Sequence, residues 1–131
     1  WLSKVDASRG VIALAGGVFF YFQIADVSSL INAFGTAFPG GRMVYDSISP
    51  TMADRSEKEL VKKGTPAKMP FRLKDPYTPR QWSTSIKNLD IEFDFLYLLD
   101  SKSRATLPST FRFILFISRV FRGMYIVRID F

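Results

Sequence analysis

Two adjacent glycines at the end of an apolar run are the residues whose placement is most informative about chemistry. Gly16 and Gly17 close the segment GVIALAGG and are followed directly by VFFYF. A glycine pair lets the backbone turn tightly, or lets a ligand lie closer to the backbone than a side chain would allow. In open α/β sheets, ligands bind outside the carboxyl ends of parallel strands. The sequence supports a tight turn and a ligand contact about equally.

Carboxylates form a second group of candidate residues. Asp90, Glu92 and Asp94 alternate along a predicted strand and could hold a metal ion, but such a row is more often the solvent side of a half-exposed strand. We therefore predict no metal site. Asp46 lies beside Ser47 near the end of another predicted strand, where it could touch a ligand or close a turn.

The composition excludes several chemistries for this chain. Its 131 residues include no Cys and no His, which removes disulfides, cysteine nucleophiles, Cys/His metal sites and a histidine base. The net charge of +6 comes from dispersed basic side chains, so we expect no nucleic-acid partner. The apolar run over residues 11–22 is shorter than the roughly 20 residues of a spanning helix. We therefore expect no membrane partner and a cytoplasmic location.

The first half of the chain has the pattern of a βαβ unit. Residues 11–14 are a continuous apolar run typical of a parallel strand buried on both faces. Apolar residues recur at helical spacing over residues 24–38 until the sequence PGG stops the helix, and residues 42–50 form a second strand. This order predicts a right-handed parallel unit. Residues 56–63 predict an exposed helix after it.

The second half predicts two further strands around a helix. Residues 91–99 alternate in polarity as a strand does, and residues 108–122 form a helix that opens at Pro108. Residues 124–131 form the last strand, with these side chains facing inward: Tyr125, Val127, Ile129 and Phe131. We predict one α/β domain over residues 1–131, with its last two strands paired antiparallel.

Two segments resemble a known family. LAGGVFFYF before a helix, and FPGGRMVYDSISP after it, look like the carboxyl-terminal half of a class I S-adenosylmethionine-dependent methyltransferase. The closer similarity is to the leucine carboxyl methyltransferase group with its tetracenomycin-type polyketide O-methyltransferase branch. DPYTPRQW and FRGMYIVRIDF also fit the tail of that group. The resemblance covers nearly the whole chain.

The resemblance implies a fold, a cofactor and candidate contacts. The fold is the carboxyl-terminal half of a Rossmann-like methyltransferase sheet, whose cofactor-binding glycine motif would lie upstream of Trp1. The implied cofactor is S-adenosylmethionine. The residues assigned to the cofactor are Ala15, Gly16, Gly17 and Val18. The residues assigned to the acceptor side are Tyr21, Asp46 and Ser49.

The resemblance also implies an activity. The full protein would transfer a methyl group to an oxygen of a small acceptor, and this chain alone would be inactive. Carboxyl methyltransferases usually carry Glu where this chain has Gly16, which favours a phenol-like polyketide acceptor over a leucine carboxylate. No catalytic residue is assigned to this chain. The alternative is a non-catalytic fragment or assembly module without activity of its own.

If the amino-terminal half is missing, the predicted strand over residues 11–14 is an apolar edge strand of the sheet. Exposed edge strands readily pair with another strand. We therefore expect a homodimer, or pairing with the missing amino-terminal half.

Overall fold

The computed structural model describes residues 2–96 and 99–131. The strands are β1 (Ile12–Ala15), β2 (Arg42–Ile48), β3 (Asn88–Glu92) and β4 (Met124–Asp130). The α-helices are α1 (Ile24–Ala37), α2 (Pro50–Lys62), α3 (Ser101–Thr106) and α4 (Ser109–Val120). Short 3-10 helices occupy Leu2–Lys4, Phe19–Tyr21 and Thr78–Gln81.

The strands form one mixed open sheet in the order β1-β2-β4-β3. β1 and β2 run parallel, with Ile12 opposite Arg42 and Ala15 opposite Tyr45. β4 lies between β2 and β3 and is antiparallel to both. The predicted α/β class, the parallel first pair and the antiparallel final pair are confirmed.

The core lies between α1 and one face of the sheet. The buried stripe of α1 contains Val27, Ile31 and Phe34, whose spacing is that of a helix with one apolar face. The predicted inward residues of the last strand are all buried: Tyr125, Val127, Ile129 and Phe131. Period-two alternation in β4 therefore predicts the buried face of the sheet correctly.

The prediction that the first strand is buried on both faces is wrong. β1 is an edge strand, and on the face away from α1 its side chains Ile12 and Leu14 are 66% and 77% exposed. Its other face carries Ala13 and Ala15, which pack against the core. A short apolar run cannot distinguish a central strand from an edge strand, because periodicity says nothing about neighbours.

Helix α2 is longer than predicted and begins at Pro50. The Ser49 hydroxyl accepts a hydrogen bond from the Met52 backbone N–H at 3.3 Å, which caps the helix. A serine cap followed by proline at the first helical position is a strong start signal.

Strand β3 begins and ends earlier than predicted. It stops at Glu92, where the Asp94 N–H donates to Glu92 Oε1 at 2.6 Å and the Leu96 N–H donates to Asp94 Oδ1 at 3.0 Å. These local bonds turn the chain away from the ladder. Of the predicted strand over residues 91–99, Tyr97 and Leu98 lie outside the described residues.

Helix α3 lies between the predicted strand and the predicted last helix, where the sequence analysis places no element. The Asp100 carboxylate caps it by accepting a hydrogen bond from the Ser103 N–H at 2.9 Å. That bond also holds the pKa of the Asp100 carboxyl below its usual range. Helix α4 follows, with Pro108 at its amino-terminal cap as predicted.

Glu57 on α2 holds the following segment against the fold. Its carboxylate accepts the Met69 N–H at 2.6 Å and pairs with Arg72 at 2.7 Å. The Met69 N–H first, and the Arg72 guanidinium second, hold the pKa of Glu57 below its usual range. This contact positions Phe71, which is fully buried against Phe19 and Tyr45.

Replacing Glu57 should therefore change how stability depends on pH. A carboxyl whose pKa is lower in the folded chain contributes stability above its unfolded pKa of about 4.3, and this contribution is lost as pH falls below that value. We expect Glu57→Gln to unfold at lower urea concentration than the native sequence near neutral pH, and the difference to shrink as the pH falls toward about 3.

The matched control is Glu59→Gln on the same helix. Glu59 pairs with Lys62 in a solvent-exposed contact, and such pairs contribute little. Urea unfolding of both variants across this pH range makes the comparison. A Glu57→Gln deficit that stays constant with pH would contradict the assignment.

Candidate functional site

The Gly16–Gly17 turn lies at the carboxyl end of β1 and is bonded to the neighbouring strand. The Gly17 N–H donates to Asp46 Oδ1 at 2.7 Å, across 29 positions of sequence. Gly17 has a φ of +67°, a conformation that side chains rarely adopt. A Cβ added at Gly16 or Gly17 would have no atom within 4 Å, so the turn faces open space.

The parallel pairing of β1 and β2 explains this arrangement. Because Ala15 lies opposite Tyr45, the residues that follow them, Gly16 and Asp46, lie side by side at the carboxyl ends of the two strands. Asp46 points to the face opposite Tyr45, since side chains alternate along a strand. After the turn, Phe19 is buried against Tyr45 with ring centroids 5.0 Å apart. The turn is thus held by Asp46 on one side and by Phe19 on the other.

The predicted cofactor contacts form one continuous surface. Ala15 is half-buried as the last residue of β1, and Gly16, Gly17 and Val18 are exposed after it. A ligand could therefore reach the backbone of this turn without displacing side chains.

The predicted acceptor-side residues are placed differently from one another. Asp46 joins the turn, as described. Tyr21 is half exposed and its ring meets Phe20 edge-on at 6.3 Å. The Ser49 hydroxyl caps α2, which gives it a structural role. In the part of the chain that the structure describes, no hydrogen bond joins Tyr21 or Ser49 to Gly17.

The chain segment that carries the turn has little charge. Residues 10–41 contain no Lys or Arg, and Asp26 is their single acidic residue. Asp46 adds a carboxylate at the turn itself. With the Asp46 carboxylate beside it, this segment suits a neutral or positively charged group better than an anion, because none of residues 10–41 is a cation.

Two of the three carboxylates that the sequence places in one row are paired with arginines, and the third, Glu92, accepts the Asp94 N–H. Asp90 pairs with Arg128, and Asp94 pairs with Arg119 at 3.0 Å. Within residues 2–96 and 99–131, no three acidic side chains converge as a metal site would require. Asp90 and Asp94 therefore form ion pairs, one at the sheet surface and one at the carboxyl end of α4.

Three buried hydroxyl groups lie on the face of the sheet that packs against α1, and the sequence analysis did not identify them. The hydroxyls of Tyr45, Ser47 and Tyr125 are buried and make no hydrogen bond of ordinary geometry within the described residues. Burial raises the pKa of both tyrosines, with the nearby Ser47 hydroxyl partly offsetting this effect at Tyr125. Both therefore stay neutral near neutral pH. The alternation of β2 places Tyr45 and Ser47 on the face opposite Asp46, and the Tyr45 ring packs against Phe19.

A separate concavity lies away from the turn. It has a volume of about 620 Å³ and lies beside α2, between Asp54 and Lys68. Charged side chains that line it, including Glu57, are already ion-paired at the surface. We interpret it as a groove between α2 and the following loop.

No protein-family model and no curated protein sequence matches this chain. Among the described residues, none of the helices combines the length and apolar character needed to cross a membrane.

Proposed function

We propose that this chain is the carboxyl-terminal part of an S-adenosylmethionine-dependent O-methyltransferase with a Rossmann-like sheet. In this proposal the upstream part of the protein supplies the glycine-rich cofactor motif. The Gly16–Gly17 turn supplies the wall against which the cofactor lies. The acceptor is a small molecule with a phenol-like hydroxyl or a carboxylate.

The hydrogen bond between Gly17 and Asp46 carries the proposal. Gly17 belongs to LAGGVFFYF and Asp46 to FPGGRMVYDSISP, the two segments on which the resemblance rests. The 2.7 Å bond joins them at the carboxyl end of the parallel pair, the edge where ligands bind in open α/β sheets. The sheet order β1-β2-β4-β3, with its antiparallel final pair, is compatible with the same fold.

The chemistry of methyl transfer fits the charge at this edge. S-adenosylmethionine carries a positive sulfonium, and the turn offers a carboxylate and no basic side chain among residues 10–41. Methyl transfer needs alignment of the acceptor oxygen, the methyl carbon and the sulfur more than covalent catalysis. A carboxylate acceptor requires no base, so the lack of His in this chain is compatible with the reaction.

Within this proposal, Gly17 and Asp46 have distinct roles. Gly17 leaves space for the cofactor, and the Asp46 carboxylate fixes the turn by accepting the Gly17 N–H. Asp46 is thus a positioning residue for the cofactor wall.

Titration of S-adenosylmethionine into the full-length gene product tests the proposal. We expect saturable binding at one site, and transfer of labelled methyl groups to a phenol or a carboxylate in an acceptor panel. A folded gene product that binds no S-adenosylmethionine would contradict the proposal and favour a non-catalytic assembly module.

A further inference from the structure

Residues 69–73 form an extended segment that lies against the chain just after the Gly16–Gly17 turn. We call residues 69–73 the strap. The strap belongs to no helix or strand, and its alternate side chains are buried: Met69, Phe71 and Leu73. An extended segment outside a sheet lacks the ladder of hydrogen bonds that fixes a strand. Its position therefore depends on contacts with other elements.

Glu57 on α2 supplies the polar contacts that fix the strap. Its carboxylate accepts the Met69 N–H at 2.6 Å and pairs with the Arg72 guanidinium at 2.7 Å. Arg72 also pairs with Asp54, and its Nε donates to the Met69 carbonyl at 2.8 Å. The Glu57 side chain is only 16% exposed, so solvent ions screen these contacts less than they screen a surface pair.

The strap contacts the two phenylalanines that lie just after the turn. The Phe71 N–H donates to the Phe20 carbonyl at 3.4 Å, and the Phe71 ring meets the Phe19 ring edge-on with centroids 6.2 Å apart. The Phe20 side chain packs against a cluster that contains Met69. Because one residue separates Phe19 from Gly17, a displacement of the strap would reach the turn.

The turn itself has few contacts of its own. The Gly17 N–H donates to Asp46, and no other side chain within residues 2–96 and 99–131 forms a hydrogen bond with residues 16–18. A Cβ added at Gly16 or Gly17 would meet open space, so packing does not fix the turn either. Segments with so few contacts open locally more readily than a core does.

We propose that Glu57 is a positioning residue for the Gly16–Gly17 turn, and that it acts through the strap and Phe19. Without the Glu57 carboxylate the strap is held less firmly on α2, and Phe19 loses part of its support. Phe19 keeps its contact with Tyr45, whose ring centroid is 5.0 Å away, so the turn loosens without unfolding.

A consequence for the cofactor rests on the proposed function given above. If the turn is the wall against which S-adenosylmethionine lies, binding to a loosened turn must also order that wall. The apparent affinity then falls by the fraction of molecules in which the turn is formed.

The competing explanation is that Glu57 and the strap serve the core alone. Phe71 is fully buried and also packs against Trp82. In that case the loss of Glu57 lowers the stability of the whole fold and leaves local opening of the turn unchanged. Amide hydrogen exchange distinguishes the two explanations, because an exposed turn exchanges by local opening whereas a core exchanges by global unfolding.

Nuclear magnetic resonance of the full-length gene product, with isotope-labelled glycine and without S-adenosylmethionine, measures this exchange. We expect the Gly17 amide to exchange about tenfold faster in Glu57→Gln, since Glu57 makes charged hydrogen bonds that the variant weakens. The matched control is Glu59→Gln, whose exposed pair with Lys62 should leave Gly17 unchanged. If Glu57→Gln does not fold, Arg72→Gln replaces it.

Phe71→Leu tests whether the effect passes through the strap. This variant keeps Glu57 but removes the ring that meets Phe19. We expect it to accelerate Gly17 exchange as well, and the double variant with Glu57→Gln to be less than the product of the two factors, because both changes act through one contact.

Two outcomes would overturn the proposal. One is a native rate of Gly17 exchange in a folded Glu57→Gln protein. The other is an acceleration by Glu57→Gln that Phe71→Leu does not reproduce, because the effect would then bypass the strap.

Titration of S-adenosylmethionine separates this proposal from the proposed function. We expect Glu57→Gln to weaken binding about threefold, through the smaller fraction of molecules with a formed turn. A native protein that binds no S-adenosylmethionine would contradict the proposed function and leave the exchange result standing. Faster Gly17 exchange with unchanged affinity would show that the strap positions the turn and that the turn is not the cofactor wall.

Discussion

Gly17→Val is expected to weaken S-adenosylmethionine binding by the full-length gene product at least about tenfold, whereas Gly64→Val leaves the affinity unchanged. The two glycines are matched. Gly17 has a φ of +67° and Gly64 a φ of +74°, and neither has an atom within 4 Å of an added Cβ. Both variants carry the same backbone strain, about 1–2 kcal/mol. They differ in place, because only Gly17 lies at the carboxyl end of the parallel strands.

Calorimetric titration and thermal unfolding of the two variants, side by side, separate the two explanations for the glycine pair. Equal losses of melting temperature with an affinity loss confined to Gly17→Val would support a cofactor wall. If the folded Gly17→Val protein binds as tightly as Gly64→Val does, the glycines serve the turn alone and the site assignment is wrong.

Gly35→Val should destabilise the fold by about 3 kcal/mol, the upper end of the usual cost of overpacking. Gly35 lies on the buried face of α1, where an added Cβ would overlap Phe131 Cδ1 and stand 3.1 Å from Ser85 Cβ. The Phe131 ring is buried and packs against Phe34 with centroids 5.3 Å apart, so it has little room to retreat. The better helix propensity of Val offsets only a few tenths of a kcal/mol.

Urea unfolding measures this effect, with Ala33→Val as the control on the exposed side of the same helix. Adding Phe131→Leu to Gly35→Val should recover part of the loss, because the two residues share one space. If the losses in free energy of unfolding of the two single variants simply add in the double variant, the overlap with Phe131 is not the cause of the destabilisation by Gly35→Val.

Periodicity predicted the parts of the fold where one face is buried over several turns or residues. In α1 the apolar spacing continues from Val27 to Phe34, and in β4 the alternation continues from Tyr125 to Ile129. When such a pattern is long, only one strand register and one helix face bury all of its apolar side chains. The antiparallel final pair followed from the same patterns.

Local side-chain bonds decided the elements that the sequence analysis placed wrongly. Glu92 and Asp94 end β3 by bonding backbone N–H groups, and Asp100 starts α3 in the same way. Ser49 followed by Pro50 is a sequence pattern typical of a helix start, and it marks the true beginning of α2. Apolar spacing alone does not reveal it. Apolar periodicity does not detect bonds of this kind.

The sequence predicted the individual residues of the candidate site, but it did not predict how they are arranged. Asp46 and Gly17 were both named from the sequence, but the bond between them depends on the register of β1 against β2. Likewise, the close approach of Gly35 and Phe131 joins positions that lie 96 residues apart in the sequence. Tertiary packing determines such contacts, and no local pattern encodes them.

The central claim is that the backbone of the Gly16–Gly17 turn contacts S-adenosylmethionine. Nuclear magnetic resonance of the full-length gene product with isotope-labelled glycine measures this directly, since each glycine amide reports on its own surroundings. The account predicts that the Gly16 and Gly17 amide signals shift in a saturable way as S-adenosylmethionine is added, while the Gly64 signal stays unchanged. Saturable binding that leaves the Gly16 and Gly17 signals in place would contradict it.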